Sequence, residues 1–174
     1  MGEIVADTSA LVSLGVVADA TPNPLDLLLD SHIIILPEQV VDELTETASY
    51  NDASGKAAQA VLDRQAAFNI RSVGLDETFP LDDGENAAVT LANTIDAVQL
   101  LCDEFNRLAL VHASLVDTRL VTTPIVLTAL VRNGVLAADT AEAFLDEMSD
   151  ARSWSANTYL ARAKATLQQQ QDDP

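Results

Sequence analysis

The feature that most constrains the fold is a regular alternation of short apolar runs with helical segments. Five runs predict β-strands, and they span residues 4–6, 32–36, 69–73, 97–102 and 119–123. Each run is followed, directly or after a loop, by a segment with helical periodicity or helix-capping residues. Strands that alternate with helices indicate an α/β layer fold built on a parallel sheet.

The helical segments account for most of the remaining chain. They are predicted over residues 10–18, 25–29, 37–48, 56–68, 84–95, 104–113, 125–132, 140–148 and 156–171. The last three helices follow the final strand, and no linker is long enough to separate two domains. We therefore expect a single domain over residues 1–167, with residues 168–174 forming a frayed C-terminal tail.

The charge balance is strongly acidic, with 9 Lys and Arg residues against 27 Asp and Glu residues and a net charge of −18. Such a surface repels itself at low salt, whereas at molar salt the Debye length falls to about 3 Å. This composition, with Lys56 and Lys164 as the two lysines, is typical of a halophile, and we expect a haloarchaeal source. An ordinary acidic protein is the alternative. The same charge argues against binding nucleic acid by broad neutralisation of phosphates.

Further features predict a cytoplasmic protein with no membrane partner. No apolar stretch reaches the roughly 20 residues that span a bilayer. The start of the chain lacks the basic region of a secretion signal. The one cysteine, Cys102, excludes an internal disulfide and a cysteine-rich zinc site.

Two of the apolar runs end in an aspartate. Asp7 follows Ile4-Val5-Ala6, and Asp103 follows Leu100-Leu101-Cys102. Ligands of open parallel sheets bind outside the carboxyl ends of the strands, so these two carboxylates converge if their strands are neighbours. The alternative role for each aspartate is to cap the helix that follows it.

Two glutamates lie near the apolar faces of predicted helices. At about 100° per residue, Glu43 falls at the boundary of the buried face of helix 37–48, where it either reaches the rim of a cleft or remains a solvated charge. Glu85 lies in the first turn of helix 84–95, about 60° from the centre of the buried stripe. A carboxylate at the edge of the core is costly unless a cation or a donor meets it. The alternative for Glu85 is a favourable interaction with the helix N-terminus.

Carboxylates gathered in one pocket repel and raise one another's pKa values, and a divalent cation removes that problem. Mg²⁺ and Mn²⁺ prefer oxygen ligands and keep several waters, and near a phosphodiester they activate a water and stabilise charge on the phosphate. The residues therefore predict a magnesium or manganese site that also orients the attacking water, formed by Asp7, Glu43, Glu85 and Asp103. Asp82 and Asp83 are expected to be solvated loop acids, although either can approach this site.

Five segments, taken in order, resemble a PIN-domain protein. They are IVADTSALVSL (4–14), IIILPEQVVDEL (33–44), LDDGENAAVTLA (81–92), LLCDEFNRLAL (100–110) and LVTTPIVLTALVRNGVL (120–136). The resemblance implies a Rossmann-like three-layer PIN fold, with a central parallel sheet of about five strands and extra C-terminal helices. It also implies metal-dependent phosphodiester cleavage, usually of RNA, and many relatives are toxins of toxin–antitoxin pairs.

The resemblance carries over to individual residues. The acids of the family are matched by Asp7, Glu43, Glu85 and Asp103. Residues expected to support the site are Thr8, Glu104, Asn106 and Thr122. Glu104 stands where a second aspartate is common, and Thr122 and Thr123 stand where the family often has a small hydroxyl near the phosphate. The replacement of that aspartate by Glu104 and the lack of a basic surface affect the prediction of substrate binding more than the prediction of the fold.

The resemblance favours a Mg²⁺- or Mn²⁺-dependent endoribonuclease of toxin–antitoxin type, with an antitoxin and a second copy of the chain as further partners. The candidates for phosphate contacts are Arg64, Arg71, Arg107 and Arg119. The alternative is a catalytically weak interaction protein that binds metal or a protein partner. A receiver-like domain that accepts phosphate on an aspartate is disfavoured, because the fifth strand ends in threonines where that fold needs a lysine.

Overall fold

The centre of the computed structural model, which describes residues 1–172, is a five-stranded sheet. The strands are β1 (Glu3–Ala6), β2 (Ile33–Pro37), β3 (Asn69–Arg71), β4 (Gln99–Leu101) and β5 (Arg119–Val121). Their order is β3-β2-β1-β4-β5, and every neighbouring pair is parallel. The central strand β1 therefore lies where the strand order reverses, which is where ligands of open α/β sheets bind.

Nine α-helices flank the sheet within residues 1–172. They are α1 (Thr8–Gly15), α2 (Pro24–Ser31), α3 (Glu38–Ala48), α4 (Ala53–Leu62), α5 (Asp83–Thr94), α6 (Leu108–Ser114), α7 (Thr123–Arg132), α8 (Ala138–Arg152) and α9 (Thr158–Asp172). A single 3₁₀ turn at Gln65–Ala67 follows α4. In this part of the chain, no helix combines the length and the apolar composition that crossing a membrane requires.

The side chains of the strands alternate between two cores on opposite faces of the sheet. In β1, Ile4 and Ala6 belong to the larger core, whereas Val5 belongs to the smaller one. The larger core also contains the apolar residues of α1, α2, α4 and α7 to α9, and the smaller core contains those of α5 and α6. A parallel sheet buried on both faces produces this arrangement. The predicted three-layer α/β fold with a parallel five-stranded sheet is thus confirmed.

The predicted strands all form, but several helix boundaries differ from the predictions. The helix predicted over residues 56–68 ends at Leu62 and is followed by the 3₁₀ turn. Pro37 ends β2 and precedes α3, so it lies one residue before the helix and not at its first position. The helix predicted over residues 104–113 begins only at Leu108. Backbone bonds from Phe105 N to Asp103 O and from Arg107 N to Glu104 O, each 2.8 Å, close tight turns in this segment. Asp103 therefore has no helix directly after it to cap.

The C-terminal end of the described chain is helical. Helix α9 continues to Asp172, across residues 168–172 that the sequence predicts to fray. The domain boundary at residue 167 stays a prediction, and residues 173–174 of the predicted tail lie outside the described residues.

Candidate active site

A cavity of about 310 Å³ opens at the carboxyl end of β1, and we call it the acidic cavity. It is lined by Asp7, Thr8, Ser9, Val12, Glu43, Glu46, Thr47, Tyr50, Asp82, Glu85, Glu104 and Arg152. Six of these side chains are carboxylates and one is an arginine. The structure thus brings together Asp7, Glu43 and Glu85 of the predicted metal ligands, with Thr8 and Glu104 of the supporting residues. Glu46 and Asp82 are further acids at its wall.

Asp7 is buried at the point where β1 passes into α1. Its Oδ2 accepts hydrogen bonds from the Ser9 backbone N–H at 3.3 Å and from the Ser9 hydroxyl at 2.7 Å. Burial raises the pKa of Asp7 above its ordinary value, and the bonds from Ser9 oppose that rise. Asp7 therefore caps α1 and lines the cavity at the same time.

Ser9 connects the ends of the two neighbouring strands β1 and β4. Its hydroxyl donates to Asp7 and accepts a hydrogen bond from the backbone N–H of Asp103 at 2.9 Å. This role could not be predicted from the sequence, because no pattern in the chain shows that β1 and β4 are neighbours. The serine positions Asp7 relative to the end of β4.

Glu43 reaches the cavity from α3, which is one of the two alternatives that its place at the boundary of the helix face allows. The Thr8 hydroxyl donates a hydrogen bond to Glu43 Oε2. A Cβ atom added at Gly84 would lie 2.1 Å from Glu43 Oε1, so the absence of a side chain at Gly84 makes room for this carboxylate. Burial raises the pKa of Glu43 most, the bond from Thr8 opposes the rise, and the charge of Asp7 adds to it.

Glu85 lies at the start of α5 in a capping box with Asp82. Glu85 N donates to Asp82 Oδ1 at 2.9 Å, and Asp82 N donates to Glu85 Oε2 at 3.4 Å. Arg107 Nη2 lies 3.3 Å from the same Oε2. The other oxygen, Oε1, is buried without a hydrogen-bond partner. Burial, followed by the charge of Asp82, raises the pKa of Glu85 to about 7.

Asp82 and Glu104 add to the negative potential of the cavity. Burial raises the pKa of Glu104, and the charges of Asp7 and Asp82 raise it further. The charge of Asp82 also raises the pKa values of Asp7, Glu43 and Glu85. The sequence does carry a signal for Asp82, because an acid three residues before Glu85 is the pattern of a capping box.

The structure places the fourth predicted ligand, Asp103, outside the acidic cavity. Its Oδ1 accepts a hydrogen bond from Thr123 N at 2.7 Å, at the start of α7, while its Oδ2 is buried without a partner. Burial raises the pKa of Asp103, whereas the bonds from Thr123 and the charge of Arg152 lower it. Asp103 is thus connected to Asp7 through Ser9 and does not share a cavity wall with it.

A second cavity, of about 460 Å³, adjoins the first, and we call it the aromatic cavity. It is lined by Asp103, Glu104, Phe105, Asn106, Arg152, Ser153, Trp154, Ser155, Ala156, Asn157, Thr158 and Tyr159. Glu104 and Arg152 line both cavities. The predicted helper Asn106 is exposed at this wall, whereas Thr122 is buried, with an unpartnered hydroxyl, and lines neither cavity.

None of the four arginines predicted to contact phosphate lines either cavity. Arg64 pairs with Asp26 at 2.6 Å, Arg71 is exposed on the edge strand β3, and Arg119 lies at the amino end of β5. Only Arg107 lies beside an acid of the site. Arg152, which is not among the arginines predicted from the sequence, lines both cavities. No sequence motif surrounds Arg152, so its position at the cavities follows only from where α8 ends in the folded structure.

A comparison with protein-family models identifies the fold. The family described as the PIN domain matches residues 3–169. The chain belongs to the PIN-domain family. A search of curated proteins finds no match. Membership of this family agrees with the resemblance over residues 3 to 167, and the PIN fold is a nuclease-type fold.

PIN domains generally use divalent metal ions, which raises the question of whether the residues of this PIN protein could bind one. Within residues 1–172, no three His, Cys, Asp or Glu side chains already form a cluster that could hold a metal. The donor chemistry nevertheless fits, because carboxylate oxygens are the ligands that Mg²⁺ and Mn²⁺ prefer. Glu85 Oε1 is buried and has no hydrogen-bond partner. Burial disfavours the charged form of these carboxylates, and a bound cation would stabilise that form. The types of these residues thus fit a hard divalent cation, although no three of the described side chains are close enough to form a metal-binding cluster.

Proposed function

We propose that this PIN-domain protein hydrolyses phosphodiester bonds of RNA with the help of Mg²⁺ or Mn²⁺. The observation that carries the proposal is the unpartnered, buried Oε1 of Glu85 in a cavity also lined by Asp7 and Glu43. A buried carboxylate oxygen without a partner is costly unless a donor or a cation meets it, and Arg107 and Asp82 N contact only the other oxygen, Oε2. The raised pKa values of all three acids support the same reading.

In this proposal Asp7, Glu43 and Glu85 hold the ion in the acidic cavity, while Asp103, which lies outside that cavity, is connected to Asp7 through Ser9. A bound ion would lower the pKa of the attacking water, and its positive charge would stabilise the negative charge on the attacked phosphate. Ser9 fixes the carboxylate of Asp7, and the Thr8 hydroxyl fixes that of Glu43. Glu104 lines the same cavity, so its carboxylate is placed to accept a proton from the attacking water, and burial raises its pKa above the ordinary value.

We also propose that the protein is a cytoplasmic toxin of a halophile, neutralised by an antitoxin and active as a homodimer. The family membership supports the toxin role, and the net charge of −18 supports the halophilic source. A toxin arrests growth when it is expressed, and the Asp7→Asn variant should not. Expression of both forms in the same host tests this role, and the mass of the purified protein by light scattering tests the dimer.

The nuclease proposal is tested by RNA cleavage at molar KCl with Mn²⁺. We expect cleavage that chelation stops, and a rate at least about a hundredfold lower for Asp7→Asn, since even changes behind a metal ligand cost about 10–100-fold. The matched control is Asp42→Asn, which changes an exposed acid of α3 and should cleave like the wild type. Equal rates for Asp7→Asn and the wild type would show that this cavity is not the active site.

A second candidate function is an interaction protein of low activity on the same fold. Two contacts favour it, because they already use carboxylate oxygens that a metal ion would need. Arg107 forms an ion pair with Glu85, and Thr123 N donates a hydrogen bond to Asp103. A calorimetric titration with Mn²⁺ separates the two functions. The absence of binding in the micromolar to millimolar range supports the interaction protein, whereas binding together with Mn²⁺-dependent RNA cleavage supports the nuclease.

A further inference from the structure

The aromatic cavity gathers an unusual share of the chain's few aromatic rings. The whole chain has one Trp, two Tyr and four Phe residues, and three of these seven rings lie at this wall. Phe105 meets Trp154 edge to face, with centroids 5.1 Å apart, and lies nearly parallel to Tyr159 at 5.3 Å. Trp154 is buried, whereas Tyr159 stays 37% exposed. The cluster therefore keeps one ring accessible beside the acidic cavity.

Arg152 lies at the junction of the acidic and aromatic cavities. Within residues 1–172 its side chain makes no hydrogen bond and no ion pair, although its charge lowers the pKa values of Asp103 and Glu104. A guanidinium group presents a planar set of donors that matches a phosphate. An uncommitted arginine next to a candidate nuclease site is thus available for the phosphate of a substrate.

Two asparagines add amide groups to the same wall. Asn157 Oδ1 accepts hydrogen bonds from Tyr159 N at 2.8 Å and Leu160 N at 3.3 Å, which caps α9. Among the described residues, nothing bonds to its amide nitrogen or to the side chain of the exposed Asn106. Amide groups of this kind recognise the edges of bases, while rings stack on their faces.

We propose that the aromatic cavity is a nucleotide subsite, in which Arg152 binds the phosphate and the base stacks on Tyr159. The inference rests on the proposed function, because it assigns this subsite to the nucleotide beside the cleaved bond. Its volume of about 460 Å³ is in the range of small-ligand sites, roughly 300–1,000 Å³. Stacking also supplies affinity that does not depend on neutralising phosphates, which suits a chain with a net charge of −18.

The single tryptophan offers a direct readout that needs neither metal nor catalysis. Trp154 fluorescence is followed in EDTA while each of the four ribonucleoside 5′-monophosphates is added, with a free tryptophan derivative correcting for absorbance. We expect a saturable change with at least one nucleotide, and binding at least about fivefold weaker for ribose 5-phosphate, which has no base. No saturable change with any nucleotide, or equal binding of ribose 5-phosphate, would overturn the subsite.

Variants assign the two halves of the subsite. Tyr159→Leu should weaken nucleotide binding by about fivefold or more and leave ribose 5-phosphate unaffected, whereas Tyr159→Phe keeps the ring and should bind like the wild type. Arg152→Gln should weaken both ligands, and its control, Arg132→Gln on α7, should weaken neither. Nucleotide affinities for Tyr159→Leu that match the wild type contradict the assignment of Tyr159, and circular dichroism checks that each variant is folded.

The outcomes separate this inference from the proposed nuclease function. Base-dependent binding in a protein that does not cleave RNA leaves the subsite in place and removes the nuclease proposal. Cleavage by a protein whose Tyr159 and Arg152 variants bind nucleotides normally removes only the subsite.

Discussion

The ends of β1 and β4 look alike in sequence and differ in the structure. Both strands end in a buried aspartate, Asp7 and Asp103, and burial raises the pKa of each. The charge of Asp82 raises the pKa of Asp7 further, whereas the nearby Arg152 lowers that of Asp103. Asp7 thus lies in a negative surrounding, and Asp103 in a partly compensated one.

The difference arises from the residues that follow each strand. Helix α1 begins directly after Asp7, which keeps that carboxylate at the edge of the sheet. Tight turns follow Asp103, and its carboxylate bonds instead to the N–H of Thr123 on α7. A strand end therefore determines at which edge an acid lies, while the next few residues determine what its side chain contacts.

The largest expected effect comes from neutralising these two aspartates separately. Asp7→Asn should weaken Mn²⁺ binding about a hundredfold, and Asp103→Asn by about tenfold, because only Asp7 lines the acidic cavity. The asparagine oxygen can still accept from Thr123 N, so α7 should stay in place. Isothermal titration calorimetry measures both affinities. A larger loss for Asp103→Asn would place the ion at the end of β4.

The next effect concerns the room that Gly84 leaves for Glu43. In Gly84→Ala the new Cβ would meet the flexible end of Glu43 and displace its carboxylate, with little strain on the backbone. We expect RNA cleavage to fall by about tenfold, the loss typical of misplaced groups around a metal, with an almost unchanged melting temperature. Gly74→Ala is the matched control, because no atom lies within 4 Å of the added Cβ. An unchanged cleavage rate in Gly84→Ala would show that this position of Glu43 is not needed.

Much of this architecture could be predicted from the chain, because short continuous apolar runs indicate buried strands and helical apolar periodicity indicates buried helix faces. Helix geometry also placed Glu43 and Glu85 near the apolar faces of their helices, but it left open whether they line a cavity. Contacts between distant segments could not be predicted. Ser9 bridging two strands, and Arg152 between two cavities, depend on which elements become neighbours. Arg64 is a further example, because the acid with which it pairs, Asp26, is remote from it in sequence.

A smaller effect should appear in the pH dependence of the metal-free protein. The folded pKa of Glu85 is about 7, above its ordinary value of 4.5, so the folded state keeps a proton that the unfolded state has lost. The free energy of unfolding should therefore decrease as the pH rises from 4.5 to 7. Urea unfolding across this range measures the slope, and Glu85→Gln should reduce it. The exposed Glu38→Gln on α3 is the control, and an unchanged slope in Glu85→Gln would mean that other groups cause it.

The smallest effect is expected at the ion pair of Arg64 and Asp26, remote from both strand ends. The pair is partly exposed, with side-chain exposures of 24% and 50%, so Arg64→Met should reduce the free energy of unfolding by about 1 kcal/mol or less. Arg64 holds the pKa of Asp26 below its ordinary value, so this stabilisation is present at neutral pH and disappears as acid protonates Asp26. Mn²⁺ affinity and RNA cleavage should not change. If Arg64→Met weakened RNA binding as much as Arg152→Gln, the phosphate path would run past α2 and α4 and not between the two cavities.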